Sequence, residues 1–153
     1  MEGDGFTTRE LVDFIPQKRP FLFVDEILEV SDQHVIGTYT YRHEEFFYKG
    51  HFPGNAVTPG AILLETMCQI GVVAFGLQLV AREKSREEAL KLRMMLVDAA
   101  AEFFQSIVPG QRIIVIGRRI YWRRLKLRCE MEMKLDDGTA VASGMASGMG
   151  VLL

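Results

Sequence analysis

Residues 61–81, AILLETMCQIGVVAFGLQLVA, form an almost unbroken apolar run. At about twenty residues it has the length of a bilayer span. Yet it carries Glu65, Gln69 and Gln78, and no second run of this kind follows. Charge buried in lipid is costly. The other way to cover a helix that is apolar all round is to surround it with protein. An antiparallel sheet does this only by curling around the helix. A central helix of a water-soluble domain is therefore expected here, not a membrane span.

The chain supplies enough material for that arrangement. Its 153 residues are 48% hydrophobic, which suits one domain with its own core, over 1–153. The net charge of −2 is too small to make nucleic acid or a membrane surface the expected partner. Cys68 and Cys129 lie in apolar or strand-like sequence, without disulfide or metal-ligand spacing. Buried thiols in a reducing compartment are expected. MEGDGFTTRE has neither a basic start nor an apolar stretch, so no secretory leader is expected and the cytoplasm is the expected location.

Thr7 and Glu10 have capping-box spacing ahead of Leu11, Phe14 and Ile15, which predicts a short helix over 8–14. Strands are expected over 21–30 and 34–41, with a polar turn at Ser31-Asp32. Residues 42–57 read as a loop. Thr58 as cap and Pro59 as first helical residue would open the long helix, which should run to about residue 81. Residues 82–91 read as a solvated helix end or a loop. Four strands should follow, over 92–104, 112–121, 122–135 and 139–152, with turns at Pro109-Gly110 and Asp136-Asp137-Gly138. The small residues of the last strand predict close backbone approach to the long helix. Helices and strands are segregated, so the fold class is α+β, a curved antiparallel sheet around one long central helix.

The chemistry gathers at HFPGNAVTPGAILLETMCQ, residues 51–69. Gly60 and Ala61 fall in the first turn of the long helix, where N–H groups have no carbonyl partner. The helix dipole favours negative charge there, which makes an oxyanion site for a thioester carbonyl. Glu65 and Gln69 are four apart and share a helix face. Gln69 can fix the Glu65 carboxyl, and apolar surroundings should raise its pKa, leaving it able to act as an acid. His51, in the Gly-flanked loop, titrates in the range of a general base. A base, an acid and an oxyanion site suit removal of a proton beside a thioester carbonyl while a β-hydroxyl leaves as water. On spacing alone, a structural histidine is the commoner reading, and a buried, hydrogen-bonded structural glutamate is as open as an acid.

This stretch resembles the signature of the β-hydroxyacyl-acyl-carrier-protein dehydratases of FabZ type, a hot-dog-fold group. The matching residues are His51-Phe52-Pro53-Gly54, Pro59-Gly60, Glu65, Met67 and Gln69. IPQKRPFLFVDEI upstream and LVDAAAEFFQSIVPGQ downstream are also similar, so the resemblance extends over about residues 9–152. It implies dehydration of a (3R)-hydroxyacyl thioester, carried on the phosphopantetheine of an acyl carrier protein, to the trans-2-enoyl thioester, with no metal or redox cofactor. It implies a homodimer, trimers of dimers being common in the family, with each active site shared between subunits. His51 would be the base and Glu65, from the partner chain, the acid. The Gly60 N–H would bind the thioester oxygen, the Val57 carbonyl would orient His51, and Gln69 would support Glu65. Glu at position 65 matches the plain dehydratases, not the isomerising subgroup.

Gln17 stands where that family usually has His, and Glu102 where basic residues are common. The carrier and the pathway, whether housekeeping lipid synthesis or a polyketide or polyene route, are therefore left open. The basic stretch RRIYWRRLKLR, 118–128, reads as an exposed strand edge or as a receiver for an acidic carrier. A hot-dog thioesterase, with Glu65 activating water, and a non-catalytic acyl-binding subunit are the competing functions.

Overall fold

The structure is a computed structural model and describes residues 3–153. The first helix, α1 (Thr8–Phe14), has the expected reciprocal cap: the Thr7 hydroxyl accepts from the Glu10 N–H at 3.1 Å, and the Glu10 carboxylate accepts from the Thr7 N–H at 3.0 Å. Two strands follow, β1 (Glu26–Val30) and β2 (His34–Thr40). The long helix α2 covers Gly60–Glu83. A short helix α3 (Arg86–Leu90) leads into β3 (Leu92–Phe103), β4 (Arg112–Arg123), β5 (Lys126–Leu135) and β6 (Ala140–Leu152). All pairings are antiparallel, in the order β1-β2-β4-β5-β6-β3.

One helix, α2, has the length and composition of a membrane span. It is instead the centre of the core: Met67, Ile70, Ala74, Phe75 and Val80 are fully buried, against Val35, Val115, Cys129, Met131 and Ala146 of the sheet. Close contact depends on missing side chains. A Cβ on Gly117 of β4 would lie 3.0 Å from the Cα of Gly71 in the helix, and one on Gly148 of β6 would meet Val72 at 2.5 Å. The expected approach of the last strand to the helix is thus present at Gly148. Cys68 and Cys129 are free and buried, and burial pushes both thiols up to about 12.

Several boundaries differ from the sequence reading. Residues 21–25 are not part of β1: the Phe21 carbonyl and the Phe23 N–H bond the Gln69 side chain instead of a strand. Thr58 does not cap α2: its hydroxyl is engaged with the Tyr48 hydroxyl at 2.6 Å, and Pro59 takes the cap position. Residues Gln69–Ala74 of α2 are π-helical, for which the sequence carries no signal. The β4–β5 turn lies at Arg124-Leu125, not at 121–122. Both turn residues have positive φ, 52° and 62°, as a two-residue hairpin of this hand requires. Arg-Leu lacks the Asn-Gly chemistry that usually marks such a turn. The Leu125 carbonyl is held by the Gly150 N–H at 2.7 Å.

The helix–sheet contact yields a stability test. Gly117→Val, which forces a side chain against the Gly71 backbone, should cost about 1–3 kcal/mol. Gly50→Ala, with nothing within 4 Å of the new Cβ, should change stability by about 0.5 kcal/mol or less. Urea unfolding midpoints of the two variants check the difference.

Candidate active site

His51 stands in a loop closed on itself. The Val57 N–H bonds the His51 carbonyl at 2.9 Å, and Phe52 and Asn55 exchange backbone bonds at 3.0 and 2.9 Å. The loop is anchored on both sides. The buried Tyr48 holds Thr58 by its hydroxyl, and the Thr58 N–H bonds the Ile107 carbonyl at 2.8 Å. The imidazole stacks on Phe52, with ring centres 4.2 Å apart. Its Nδ1 lies 2.8 Å from the Val57 carbonyl oxygen. A carbonyl only accepts, so Nδ1 carries a proton; in the neutral imidazole the lone pair is then on Nε2.

Nine residues after His51, α2 begins at Gly60 without any side-chain cap. Because Thr58 is committed to Tyr48, the N–H groups of Gly60 and Ala61 keep the positive end of the helix open. The Gly60 side of this turn is covered by Phe103, at the end of β3: its ring carbons Cε2 and Cζ lie 3.5 Å from where a Cβ would stand. Phe103 is a site neighbour that sequence reasoning missed. It lies far along the chain in a strand, and no spacing links it to the helix start.

Glu65 is half-buried, and burial raises its carboxyl above the usual range, with the Gln69 hydrogen bond pulling the other way. Gln69 is fully buried and its amide is fixed from three directions. Its oxygen accepts from the Phe23 N–H at 2.7 Å, and its nitrogen donates to the Phe21 carbonyl at 2.9 Å and to Glu65 at 3.0 Å. The Cα atoms of Glu65 and Gly60 stand about 140° apart around the helix, five residues at 3.6 per turn. Within one chain, His51 and Glu65 share no hydrogen bond among the described residues.

The fold ties His51 to the Val57 carbonyl and Glu65 to Gln69, with Gly60 and Ala61 in the first turn of the helix that carries Glu65. Among the described residues no group of three or more His, Cys, Asp or Glu side chains gathers to hold a metal. Gln17, the departure noted in the sequence, has a buried Oε1 without a hydrogen-bond partner.

A family model described as the FabA-like domain matches residues 15–144. The chain belongs to the FabA-like family. Among its relatives, the 3-hydroxyacyl-[acyl-carrier-protein] dehydratase FabZ of Bartonella bacilliformis is 33% identical over 145 residues, covering 92% of this chain and 87% of that one. The FabZ of Streptococcus pyogenes is 31% identical over 137 residues, 89% and 92% of the two chains. Among solved structures, the dehydratase heterocomplex ApeI:P of Xenorhabdus doucetiae superposes with a TM-score of 0.77 at 17% identity, covering 95% of this chain and 92% of that one. A thioesterase of Haemophilus influenzae gives 0.70 at 14% identity, with 99% and 95% covered. These likenesses establish the hot-dog fold for this FabA-like chain, a six-stranded antiparallel sheet around α2.

The raised Glu65 carboxyl makes stability depend on pH in a defined direction. Below 4.5, its ordinary value, Glu65 is protonated whether the chain is folded or not. As pH rises, the unfolded chain releases this proton first, so the contribution of Glu65 turns unfavourable. Glu65→Gln should therefore gain stability relative to the wild type between pH 4.5 and neutrality. Paired thermal melts across that range check the sign.

Proposed function

We propose that this chain is a hydro-lyase, one hot-dog dehydratase domain over 1–153. It removes water from a (3R)-hydroxyacyl thioester carried on the phosphopantetheine of an acyl carrier protein, giving the trans-2-enoyl thioester. The observation that carries the reading is the orientation of His51: Nδ1 is tied to the Val57 carbonyl, in the loop that leads into a helix start with no side-chain cap. Nε2 takes a proton from C2. The electron pair of that bond becomes the C2–C3 double bond, and the C3–oxygen bond breaks. Glu65 protonates the departing hydroxyl to give water. The Gly60 and Ala61 N–H groups bear the charge that develops on the thioester oxygen. Nothing in these steps is oxidised or reduced, and no metal or cofactor takes part.

As the resemblance to the FabZ-type dehydratases implies, the acid for each site comes from Glu65 of the partner subunit; within its own chain Glu65 bonds Gln69. The chain thus works as a homodimer, which can assemble further into trimers of dimers. The exposed edge of β3 is the natural pairing surface. The buried, free thiols fit the reducing cytoplasm.

The basic β4–β5 hairpin is the carrier's landing surface. Arg118 pairs with Glu132 and Arg128 with Asp98, but Arg123, Arg124 and Lys126 have no ion pair among the described residues. The hairpin lies by the end of α2, where Trp122 donates to Glu83, away from Gly60 of the same chain. Antiparallel pairing of two β3 edges turns that end toward the partner's Gly60. β5 is then only two strands from the interface, about 10 Å.

Turnover of a carrier-borne 3-hydroxyacyl thioester, followed by enoyl absorbance and loss of one water in the product mass, tests the reaction. His51→Ala and Glu65→Ala should each lower the rate by on the order of 10²–10⁴. Mixing the two variants should restore up to half the activity per mixed dimer, because one site then holds His51 from one chain and Glu65 from the other. Release of free thiol would instead mark a thioesterase, and binding without turnover an acyl-binding subunit.

Arg123→Glu with Arg124→Glu should raise KM for the carrier-borne substrate roughly ten-fold through lost steering. Turnover of the same acyl group on free pantetheine should not change.

A further inference from the structure

β3 is the edge of the sheet next to β6, and its outer side has no strand neighbour. Met95, Leu96 and Val97 on it are 58%, 59% and 51% exposed. A long apolar edge of this kind is a template for another strand. Register is the open question, since a sheet edge alone does not specify one.

Three observations fix which side chains share a face. Met94 packs on Gly76 of the helix, and Phe103 packs on Gly60, so both point inward. Asp98 lies opposite Ser147 and is bonded by Arg128 at 3.0 Å on the outer face. Between them the pairing with β6 shifts, with Leu96 opposite Gly148 and Asp98 opposite Ser147, so Val97 is an extra residue. Before this bulge the outward residues are Arg93 and Met95, and after it Asp98, Ala100 and Glu102. Two copies pairing antiparallel must set outward residues against outward residues. Because the bulge switches the alternation, the numbers of facing residues must add to an odd total.

Charge selects among the registers that remain. The Glu102 side chain is exposed and has no hydrogen bond or ion pair among the described residues. Among the described residues the Arg93 guanidinium donates only to the Leu90 and Leu92 carbonyls, at 3.3 and 2.9 Å. Asp98 is already engaged by Arg128. We propose that β3 pairs with β3 of a second copy with Leu92 opposite Phe103, so that Arg93 of each chain faces Glu102 of the other. This aligns the two strands over their whole length and sets Met95 against Ala100, with Val97 beside the two-fold axis. Moving the register two residues one way sets Glu102 against Met95. Moving it the other way carries Phe103 past the start of the partner's strand. The glutamate that departs from the family's usual basic residues thereby acquires a partner.

The inference rests on the two-chain site proposed above and specifies its geometry. Like charges directly opposite in a sheet repel, and unlike charges attract. Glu102→Arg leaves two facing arginines on each side of a homodimer, and Arg93→Glu leaves two facing glutamates. Each variant alone should dimerise roughly ten-fold more weakly than the wild type. Refolded together with distinguishable tags, the two should form mixed dimers well above the statistical half in native mass spectra. The exchange within one chain, Arg93→Glu with Glu102→Arg, should return homodimers of wild-type strength and activity, which also shows that these positions tolerate the new residues. Statistical mixing, or an exchanged chain no stronger than the single variants, overturns the register. A wild type that is monomeric at working concentration overturns the two-chain site itself.

Discussion

Everything in this molecule depends on covering α2 without stranding its polar groups. The helix puts Gln69 and Gln78 into the core, where an unpaired amide would cost about 1–3 kcal/mol. Both are satisfied in the same way. Gln78 accepts from the Phe6 N–H at 2.7 Å and donates to the Phe6 carbonyl at 3.2 Å. Gln69 does the equivalent for Phe21 and Phe23. Each amide bonds the backbone N–H and C=O groups of a segment outside the sheet. The helix therefore holds not only the sheet that wraps it but also the N-terminal segment that closes the remaining side.

The site inherits its geometry from that solution. The Gln69 nitrogen that secures the Phe21 carbonyl also donates to Glu65, so the carboxyl is aimed by a group that cannot turn without breaking core bonds. At the helix start the logic runs the other way. Tyr48 takes the Thr58 hydroxyl that would otherwise cap the helix, and this leaves the first N–H groups available for an oxyanion. Val57, one residue earlier, aims His51. Core packing thus sets Glu65 and loop packing His51.

Much of this was legible in the sequence because it is local. The capping box at Thr7 and Glu10, the turns at Pro109-Gly110 and Asp136-Asp137-Gly138, and the four-residue spacing of Glu65 and Gln69 each depend on neighbours in the chain. What was not legible depends on contacts across it. Residues 21–25 have strand-like composition, and only the distant Gln69 removes them from the sheet. Thr58 has the chemistry of a cap, and only Tyr48 diverts it. The Arg124-Leu125 turn has the wrong residues for its backbone and is held by Gly150. Phe103 joins the site from a strand that the sequence could place in the sheet but not over the helix.

The open edge of β3 and the proposed two-chain site are one constraint seen from two directions. β3 ends at Phe103, against Gly60, so the strand that remains unpaired also walls the proposed oxyanion site. In the proposed dimer, pairing two such strands would set the distance from one chain's His51 to the other's Glu65. A slip of two residues would move one subunit along the other by about 7 Å. Proton transfer works over about 2.6–3.2 Å between heavy atoms, so a slipped dimer would bury the same apolar edge yet lose the acid from its site. Apolar burial rewards any register, whereas catalysis tolerates one. A charged pair near each end of the strand resolves that conflict: even where it adds little to the strength of association, it penalises the registers in which the two halves of the site miss each other.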